Sequence, residues 1–149
     1  MDIAIRPAEP EDADFLVANN LAMARETEEK ELDEPTLRAG VSAALDDPRR
    51  GFYLVAEMEG RPVGSLLVTE EWSDWRNGFF WWVQSVYVDR GARRRGVYRR
   101  LYEAVRERGR ARADVCGFRL YVERENFRAR RAYEKLGMGE TRYAMYEDA

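Results

Sequence analysis

One stretch, residues 78–88, limits the possible folds of this chain more than any other. It reads GFFWWVQSVYV and carries apolar side chains at both odd and even positions. A β-strand presents alternate side chains to opposite faces, so a strand that is apolar on both faces has to be covered on both faces. The stretch therefore predicts a central strand in a sheet that lies between layers of helices.

The segments around this strand predict the remaining elements. Alternating or helical spacing of apolar residues gives the order β α α β β β α β α β, an α+β (mixed α/β) arrangement of three layers. The predicted strands are 2–6, 52–57, 62–70, 78–88, 118–123 and 141–147, and the predicted helices are 10–26, 33–47, one beginning near Gly96, and 126–138. With 149 residues and no repeats or flexible linkers, we expect residues 1–149 to form a single domain.

Positive charge is concentrated just after the central strand. Residues 88–131 hold 15 arginines against 6 acidic residues, although the whole chain has a net charge of −3. The densest part, RRRGVYRRLYE at 93–103, falls at a strand-to-helix turn that contains glycine. Such a turn can bind phosphate through the free N–H groups of the helix N-terminus. A nucleic-acid patch and a merely solvated helix face are the alternatives, but an acidic chain favours a small anion over a long polyanion.

Composition excludes several kinds of chemistry. The chain has no histidine and one cysteine, Cys116, which excludes His-based triads, a disulfide framework and the usual zinc sites. We therefore expect no metal. The N-terminus lacks the pattern of a signal peptide and the apolar runs are too short to cross a bilayer, so we expect a soluble, cytoplasmic protein without membrane contact.

Two motifs give the chain a family resemblance. SVYVDRGARRRGVYRRLYEAV, followed by FRLYVERENFRARRAYEKLGM, resembles the GNAT family of acetyl-CoA-dependent N-acetyltransferases. The resemblance implies a central mixed sheet flanked by helices. It also places Arg93–Tyr98 in the family's pyrophosphate loop, Q/R-x-x-G-x-G/A, whose members here are Arg93, Arg94, Arg95, Gly96, Val97 and Tyr98. Tyr98 departs from the family pattern, because that place normally holds Gly or Ala.

The resemblance assigns further roles on either side of the loop. Val86, Tyr87 and Val88 match the splayed central strand whose backbone holds the pantetheine arm. Asn126 matches the residue that opens the last helix and touches the cofactor, although a helix N-cap would explain it as well. Tyr133 matches the tyrosine that protonates the departing thiolate, and its structural alternative is a half-buried helix residue.

The general base is less clearly marked. Several relatives have Glu on the central strand where this chain has Gln84, and an amide cannot accept the proton of an amine. Carboxylates elsewhere must then substitute, although acidic runs are commonly solvated surface. The candidates are Glu26, Glu28, Glu70, Glu71 and Asp74, of which we place Glu71 and Glu28 in the catalytic set with Tyr133.

Aromatic residues near these acids predict an acceptor site. Trp72, Trp75, Trp81 and Trp82 can form its wall, but Trp81 and Trp82 point to opposite faces of the strand, so at least one belongs to the core. Acids beside aromatic rings suit a cationic or amino-bearing acceptor. Relatives build their acceptor sites from the same regions of the fold.

These observations predict an enzyme with two substrates. It would move an acetyl group from acetyl-CoA to a primary amine of a small molecule or peptide, by direct transfer in a ternary complex. A degenerate acyl-CoA-binding or regulatory domain is the first alternative, because of Gln84 and Tyr98. An Arg-rich nucleic-acid-binding module is the second. We expect acetyl-CoA and an amine acceptor as partners, no nucleic acid, and a homodimer as a further option.

Overall fold

A computed structural model describes residues 2–149 and contains one central sheet with helices on both faces. The strands are β1 (Ile3–Pro7), β2 (Phe52–Met58), β3 (Arg61–Ser73), β4 (Gly78–Val88) and β5 (Val115–Arg119). The helices are α1 (Ala13–Glu28), α2 (Glu34–Asp46), α3 (Val97–Arg110) and α4 (Phe127–Lys135). Two short 3-10 helices are also present. Pro10–Asp12 precedes α1, and Arg90–Ala92 lies between β4 and α3.

The sheet is mixed, as predicted. Its strands lie in chain order, β1 to β5, with antiparallel pairing up to β4 and parallel pairing between β4 and β5. Glu59 and Gly60 connect β2 to β3 with φ values of 54° and 74°. Positive φ at both turn residues is typical of the tight hairpin turn whose twist matches that of the strands.

Each face of the sheet has its own apolar layer. Helix α3 places Leu101 and Val105 against the face that carries Leu66 and Trp81, and all four side chains are buried. On the other face, α1 and α2 bury Leu16, Val17 and Val41 with Tyr53. Trp81 is therefore a core residue, whereas Trp82 lies half-buried on the α1 side, so the predicted division of the two tryptophans is confirmed.

Strand β4 is bent near its middle. Ser65 of β3 pairs with Tyr87 and Leu67 pairs with Gln84, so β4 has one more residue than β3 between these two pairs. The extra length forms a β-bulge at Ser85, whose φ is 52°. Pairing between β4 and β5 ends at Trp82 and Arg119. Because β5 also ends at Arg119, residues 83–88 of β4 have no strand partner on the β5 side within residues 2–149, and we call this unpaired interval the gap.

Two strand predictions are wrong. The fifth strand is 115–119 and not 118–123, because Gly117 belongs to the strand instead of a turn. A Cβ atom at Gly117 would lie 2.8 Å from Cε1 of Phe80, so glycine is needed for close packing at this position. The strand predicted over 141–147 is absent, and its residues are exposed and outside the sheet. An alternating pattern forms a strand only where a partner strand is available to bond with it.

A charged network fixes the start of α1 against β1. Asp12 is buried and accepts hydrogen bonds from Arg6 Nη1 at 2.7 Å, Arg6 Nη2 at 2.9 Å and the backbone N–H of Glu9 at 2.7 Å. Arg6 also donates to Glu57 on β2 at 3.1 Å. The bonds from Arg6, with that from Glu9, hold the pKa of Asp12 below its ordinary value of 3.8 despite burial.

We predict that Asp12→Asn destabilises the fold by about 1–3 kcal/mol at neutral pH, because charge-assisted hydrogen bonds are lost. A carboxyl group with a lowered pKa in the folded state stabilises above its unfolded pKa and loses this contribution as the pH falls through the folded value. The difference from the parent should therefore shrink below about pH 4. Chemical denaturation at neutral and acidic pH measures it. Glu11→Gln, an exposed neighbour, is the control, and an Asp12→Asn effect that does not change with pH would refute the assignment.

Candidate active site

The loop between β4 and α3 lies beside the gap left by β5. Arg94 and Gly96 have positive φ values of 65° and 83°, and Gly96 is the N-cap of α3. A Cβ atom built at Gly96 would meet no atom within 4 Å. The turn is therefore open on the side where a side chain would point, and a ligand can approach its backbone there.

The N-terminus of α3 offers hydrogen-bond donors to this open side. The first bond of the helix runs from Arg100 N to Gly96 O at 3.0 Å, so the N–H groups of Val97, Tyr98 and Arg99 precede the intrahelical ladder. The helix dipole adds partial positive charge. The exposed arginines around the turn are Arg93, Arg94, Arg95, Arg99 and Arg100. This arrangement suits an anion of the size of a pyrophosphate.

Tyr98 turns inward instead of covering the loop. Its ring stacks on Tyr102 at a centroid distance of 6.2 Å and meets Tyr133 of α4 edge-on at 5.5 Å. Within residues 2–149 its buried hydroxyl has no hydrogen-bond partner. Burial raises the pKa of Tyr98 and of Tyr133 above the ordinary value of 10.0, so both phenols remain protonated at neutral pH.

Helix α4 brings Tyr133 to this cluster. Asn126 is its N-cap, and the Asn126 side chain accepts a hydrogen bond from Ala129 N at 3.2 Å. The N-cap interpretation of Asn126 is thus confirmed, and its predicted cofactor contact stays a prediction. Arg106 of α3 donates to Leu136 O at the other end of α4, which fixes α4 beside α3.

Gln84 and Glu71 lie on the α1 side of β4. Gln84 Nε2 donates to Thr69 Oγ1 at 2.6 Å. Glu71 Oε1 accepts hydrogen bonds from Trp82 Nε1 at 3.0 Å and Arg119 Nη1 at 3.3 Å. The carboxylate is therefore held on the face that carries Trp82, at the end of β3.

The other predicted carboxylates are placed differently. Glu70 accepts from Trp81 Nε1 and Arg112 Nη1, both at 3.0 Å, so it belongs to the α3 side of the sheet. Glu28 is exposed at the end of α1, 3.5 Å from Lys30. Across residues 2–149, no hydrogen bond or ion pair links Glu28 or Glu71 to Tyr133. Their assignment to one catalytic set stays a prediction.

A cavity of about 370 Å³ opens at the β3–β4 turn. Glu71, Trp72, Asp74 and Trp75 contribute to its wall, together with Tyr143 of the C-terminal segment. Trp75 is 89% exposed and Trp72 is 53% exposed, so their rings are available to a ligand. The predicted grouping of aromatic and acidic side chains is therefore present here.

Glu26 was one of several acidic candidates in the sequence, and the structure gives it specific partners. Its carboxylate accepts hydrogen bonds from Tyr87 Oη at 2.6 Å and Arg93 Nη2 at 2.9 Å. Arg93 Nε also donates to Val88 O at 2.8 Å. These contacts join residues 61 and 67 positions apart, so no local sequence pattern could reveal them.

Two further properties concern metals and membranes. Residues 2–149 contain no group of three or more His, Cys, Asp or Glu side chains arranged to hold a metal ion. In the same part of the chain, no helix combines the length and apolar content needed to cross a membrane.

Comparison with known proteins identifies the family. The model of the acetyltransferase (GNAT) family matches residues 17–138. The chain therefore belongs to the GNAT acetyltransferase family, and the resemblance seen in its motifs is confirmed. No curated protein matches its sequence.

Solved structures agree in fold over nearly the whole chain. A possible acetyltransferase from Clostridium difficile 630 is 44% identical with a TM-score of 0.93, covering 99% of this chain and 97% of that one. AAC(6')-Iy in complex with the bisubstrate analog CoA-S-monomethyl-acetylneamine is 15% identical, with a TM-score of 0.80 and coverage of 100% and 99%. A ribosomal-protein-alanine N-acetyltransferase from Brucella melitensis biovar Abortus 2308 is 17% identical, with a TM-score of 0.78 and 99% of each chain covered. The last two show likeness of fold alone.

We predict that Tyr98→Phe raises the free energy of unfolding by about 1 kcal/mol, because it removes a buried hydroxyl without a partner and keeps the ring contacts. Chemical denaturation of the parent and the variant measures the difference. Tyr98→Ala is the comparison, since it deletes the stacked ring and should destabilise. A loss of stability in Tyr98→Phe would mean that the hydroxyl is bonded in solution.

Proposed function

We propose that this protein is an acetyl-CoA-dependent N-acetyltransferase that acetylates a primary amine by direct transfer in a ternary complex. The observation that carries this proposal is the unpaired stretch of β4, residues 83–88, which contains the bulge and leads into the loop at the N-terminus of α3. The family supports acetyl transfer, and the CoA-bound and N-acetylating proteins of the same fold support the finer statement. We further propose that residues 1–149 act as one domain in the cytoplasm, where a free thiol such as Cys116 stays reduced.

The cofactor-binding residues predicted from the sequence fit this proposal. Arg93–Tyr98 would hold the pyrophosphate through the N–H groups and charges at the start of α3, and the open side of Gly96 gives the room that it needs. Val86–Val88 border the gap and would hold the pantetheine arm with their backbone groups. Acetyl-CoA supplies the activated acetyl thioester when it is bound. No metal is required for this chemistry.

Tyr133 is proposed as the general acid. Transfer of the acetyl group to an amine forms an amide bond and breaks the thioester bond, so the leaving thiolate needs a proton. The raised pKa of Tyr133 keeps its phenol protonated at neutral pH, and its position next to Tyr98 places it near the start of α3. A positioned donor lowers the barrier as negative charge develops on sulfur.

The acceptor is proposed to enter from the α1 side of β4. Glu71, Trp72 and Trp75 line the cavity at the β3–β4 turn together with Arg76 and Arg119, so an acceptor would find carboxylate and guanidinium groups beside aromatic faces there. Glu71 is the carboxylate that we propose for proton removal or acceptor binding, because it lies on the same face as Gln84 and Trp82. The catalytic role of Glu28 stays a prediction from the sequence.

A thiol-release assay tests the proposed function. Acetyl-CoA is incubated with the protein and a panel of primary amines, polyamines, aminoglycosides and peptides, and acceptor-dependent release of CoA thiol is expected. Tight binding of acetyl-CoA without turnover across the panel would favour the degenerate acyl-CoA-binding domain instead. Fluorescence anisotropy with generic DNA and RNA tests the nucleic-acid alternative, and we expect weak or no binding from an acidic chain.

We predict that Tyr133→Phe lowers kcat at least about tenfold and changes stability and acetyl-CoA affinity little, because it deletes only the hydroxyl. The measurement is a pre-steady-state experiment on the best acceptor, since this removes product release from the rate. Tyr146→Phe, which changes an exposed tyrosine outside the proposed site, is the matched control. An unchanged rate of thiol formation would assign the proton to water or to another residue.

We propose that the protein forms a homodimer, in which the partner is a second copy of this chain. Strand β5 is a sheet edge of only five residues. Met145 and Tyr146, in the segment after α4, are 65% and 94% exposed. Open strand edges and exposed apolar side chains are both common at surfaces where chains pair. Light scattering after size exclusion should give twice the 17.4 kDa chain mass, and a monomer at all concentrations would refute the dimer.

A further inference from the structure

A polar cluster ties the end of α1 to the loop before α3. The Glu26 carboxylate uses one oxygen for Arg93 at 2.9 Å and the other for Tyr87 at 2.6 Å, and Arg90 lies 3.7 Å from that second oxygen. The cluster lies at the surface, with the Arg90 side chain 75% exposed, that of Arg93 39% and that of Glu26 22%. Tyr87 and Arg93 also contact each other, with the guanidinium 5.2 Å from the ring centre.

These contacts connect the two layers of the fold. Helix α1 covers the face of the sheet that carries Trp82 and Gln84, whereas α3 covers the opposite face. Arg93 starts the loop to α3, and its Nε donates to Val88 O at the end of β4. The Arg93 guanidinium therefore bonds to both α1 and β4, and Arg93 is itself part of the loop to α3.

Helix α1 has few other polar attachments to the strands near the gap. Asn19 donates to Ser65 Oγ on β3 at 2.7 Å, and two turns later Glu26 bonds to Tyr87 on β4. Residues 29–33 follow without secondary structure and lead to α2. Glu26 therefore attaches the last turn of α1 to β4 and to the loop that follows it.

The contacts of Glu26 argue against a role as the general base. The hydrogen bond from Tyr87, followed by the hydrogen bond and charge of Arg93, holds the pKa of Glu26 below the ordinary value of 4.5, which makes the carboxylate a weak proton acceptor. Both of its oxygens are also occupied. The Glu26 carboxylate therefore has the geometry of a group that holds Tyr87 and Arg93 in place.

We propose that Glu26 is a positioning residue that sets the acceptor side of the gap, through α1, against the loop that binds the cofactor. This inference rests on the proposed function, because it assigns the α1 side of β4 to the acceptor. Removal of the carboxylate charge would loosen the end of α1. It would also leave Arg93 with more freedom to face an anion and remove a negative charge from the vicinity of the pyrophosphate.

The test uses Glu26→Gln in the full chain, with Glu31→Gln as the matched control. Glu31 is an exposed acid five residues further on that pairs with Arg25, so both variants lose one negative charge in the same region. For Glu26→Gln we expect the acceptor KM to rise at least about fivefold, with kcat within about threefold of the parent. The Kd of acetyl-CoA, measured by calorimetry, should stay the same or fall. Glu31→Gln should change none of these quantities.

Three outcomes would overturn the proposal. A collapse of kcat with unchanged KM would make Glu26 a base. Parallel losses of acetyl-CoA affinity, acceptor affinity and thermal stability would make its role a general structural one. If Glu26→Gln behaved like Glu31→Gln in all of these measurements, Glu26 would have no positioning role. Because the parent protein is assayed beside the variants, a parent without turnover would refute the proposed function itself, and acceptor-dependent turnover of the parent leaves only the role of Glu26 in question.

Discussion

The separation of β4 from β5 is the constraint on which the rest of the site depends. One extra residue at Ser85 changes the direction of β4, and hydrogen bonding to β5 stops at Trp82. Had the two strands remained paired, the backbone of residues 83–88 would bond to its neighbour and no gap would exist. Residues 83–88 therefore form the surface that we propose for cofactor binding. The helix N-terminus that follows places positive charge at one end of that surface.

Features that depend on local sequence patterns could be predicted, whereas features that depend on contacts with distant residues could not. The central strand, the helices and the phosphate-type turn could be read from the sequence, because period-two and helical spacing and the position of a glycine are local properties. Gly117 was predicted to lie in a turn, but it lies in β5. Glycine is needed there because the ring of Phe80 on the neighbouring strand leaves no room for a side chain. The alternating pattern of residues 141–147 predicted a strand that is absent, because strand propensity alone does not provide a partner strand.

The candidate site was predictable to the extent that it follows one continuous motif. Arg93–Tyr98, Asn126 and Tyr133 were assigned through the family resemblance, and their roles in the site stay predictions. The acidic residues could not be assigned in this way, because the role of a carboxylate depends on which groups lie opposite it across the fold. Glu70 and Glu71 are adjacent in sequence, yet strand alternation sends them to opposite faces and to different tryptophans. Glu26 acquires its role from Tyr87 and Arg93, which only tertiary structure brings near.

Helix α4 has a property that follows from its packing. None of its residues is fully buried, and it is held beside α3 by partly buried side chains such as Tyr133 and Leu136 and by the hydrogen bond from Arg106. Segments with so little buried surface open at a lower free energy than the core they rest on. Tyr133 therefore belongs to the least firmly held helix of the fold. The proposed proton donor can leave its place while the sheet and α3 remain folded, and amide hydrogen exchange in α4 measures this local opening separately from unfolding of the whole protein.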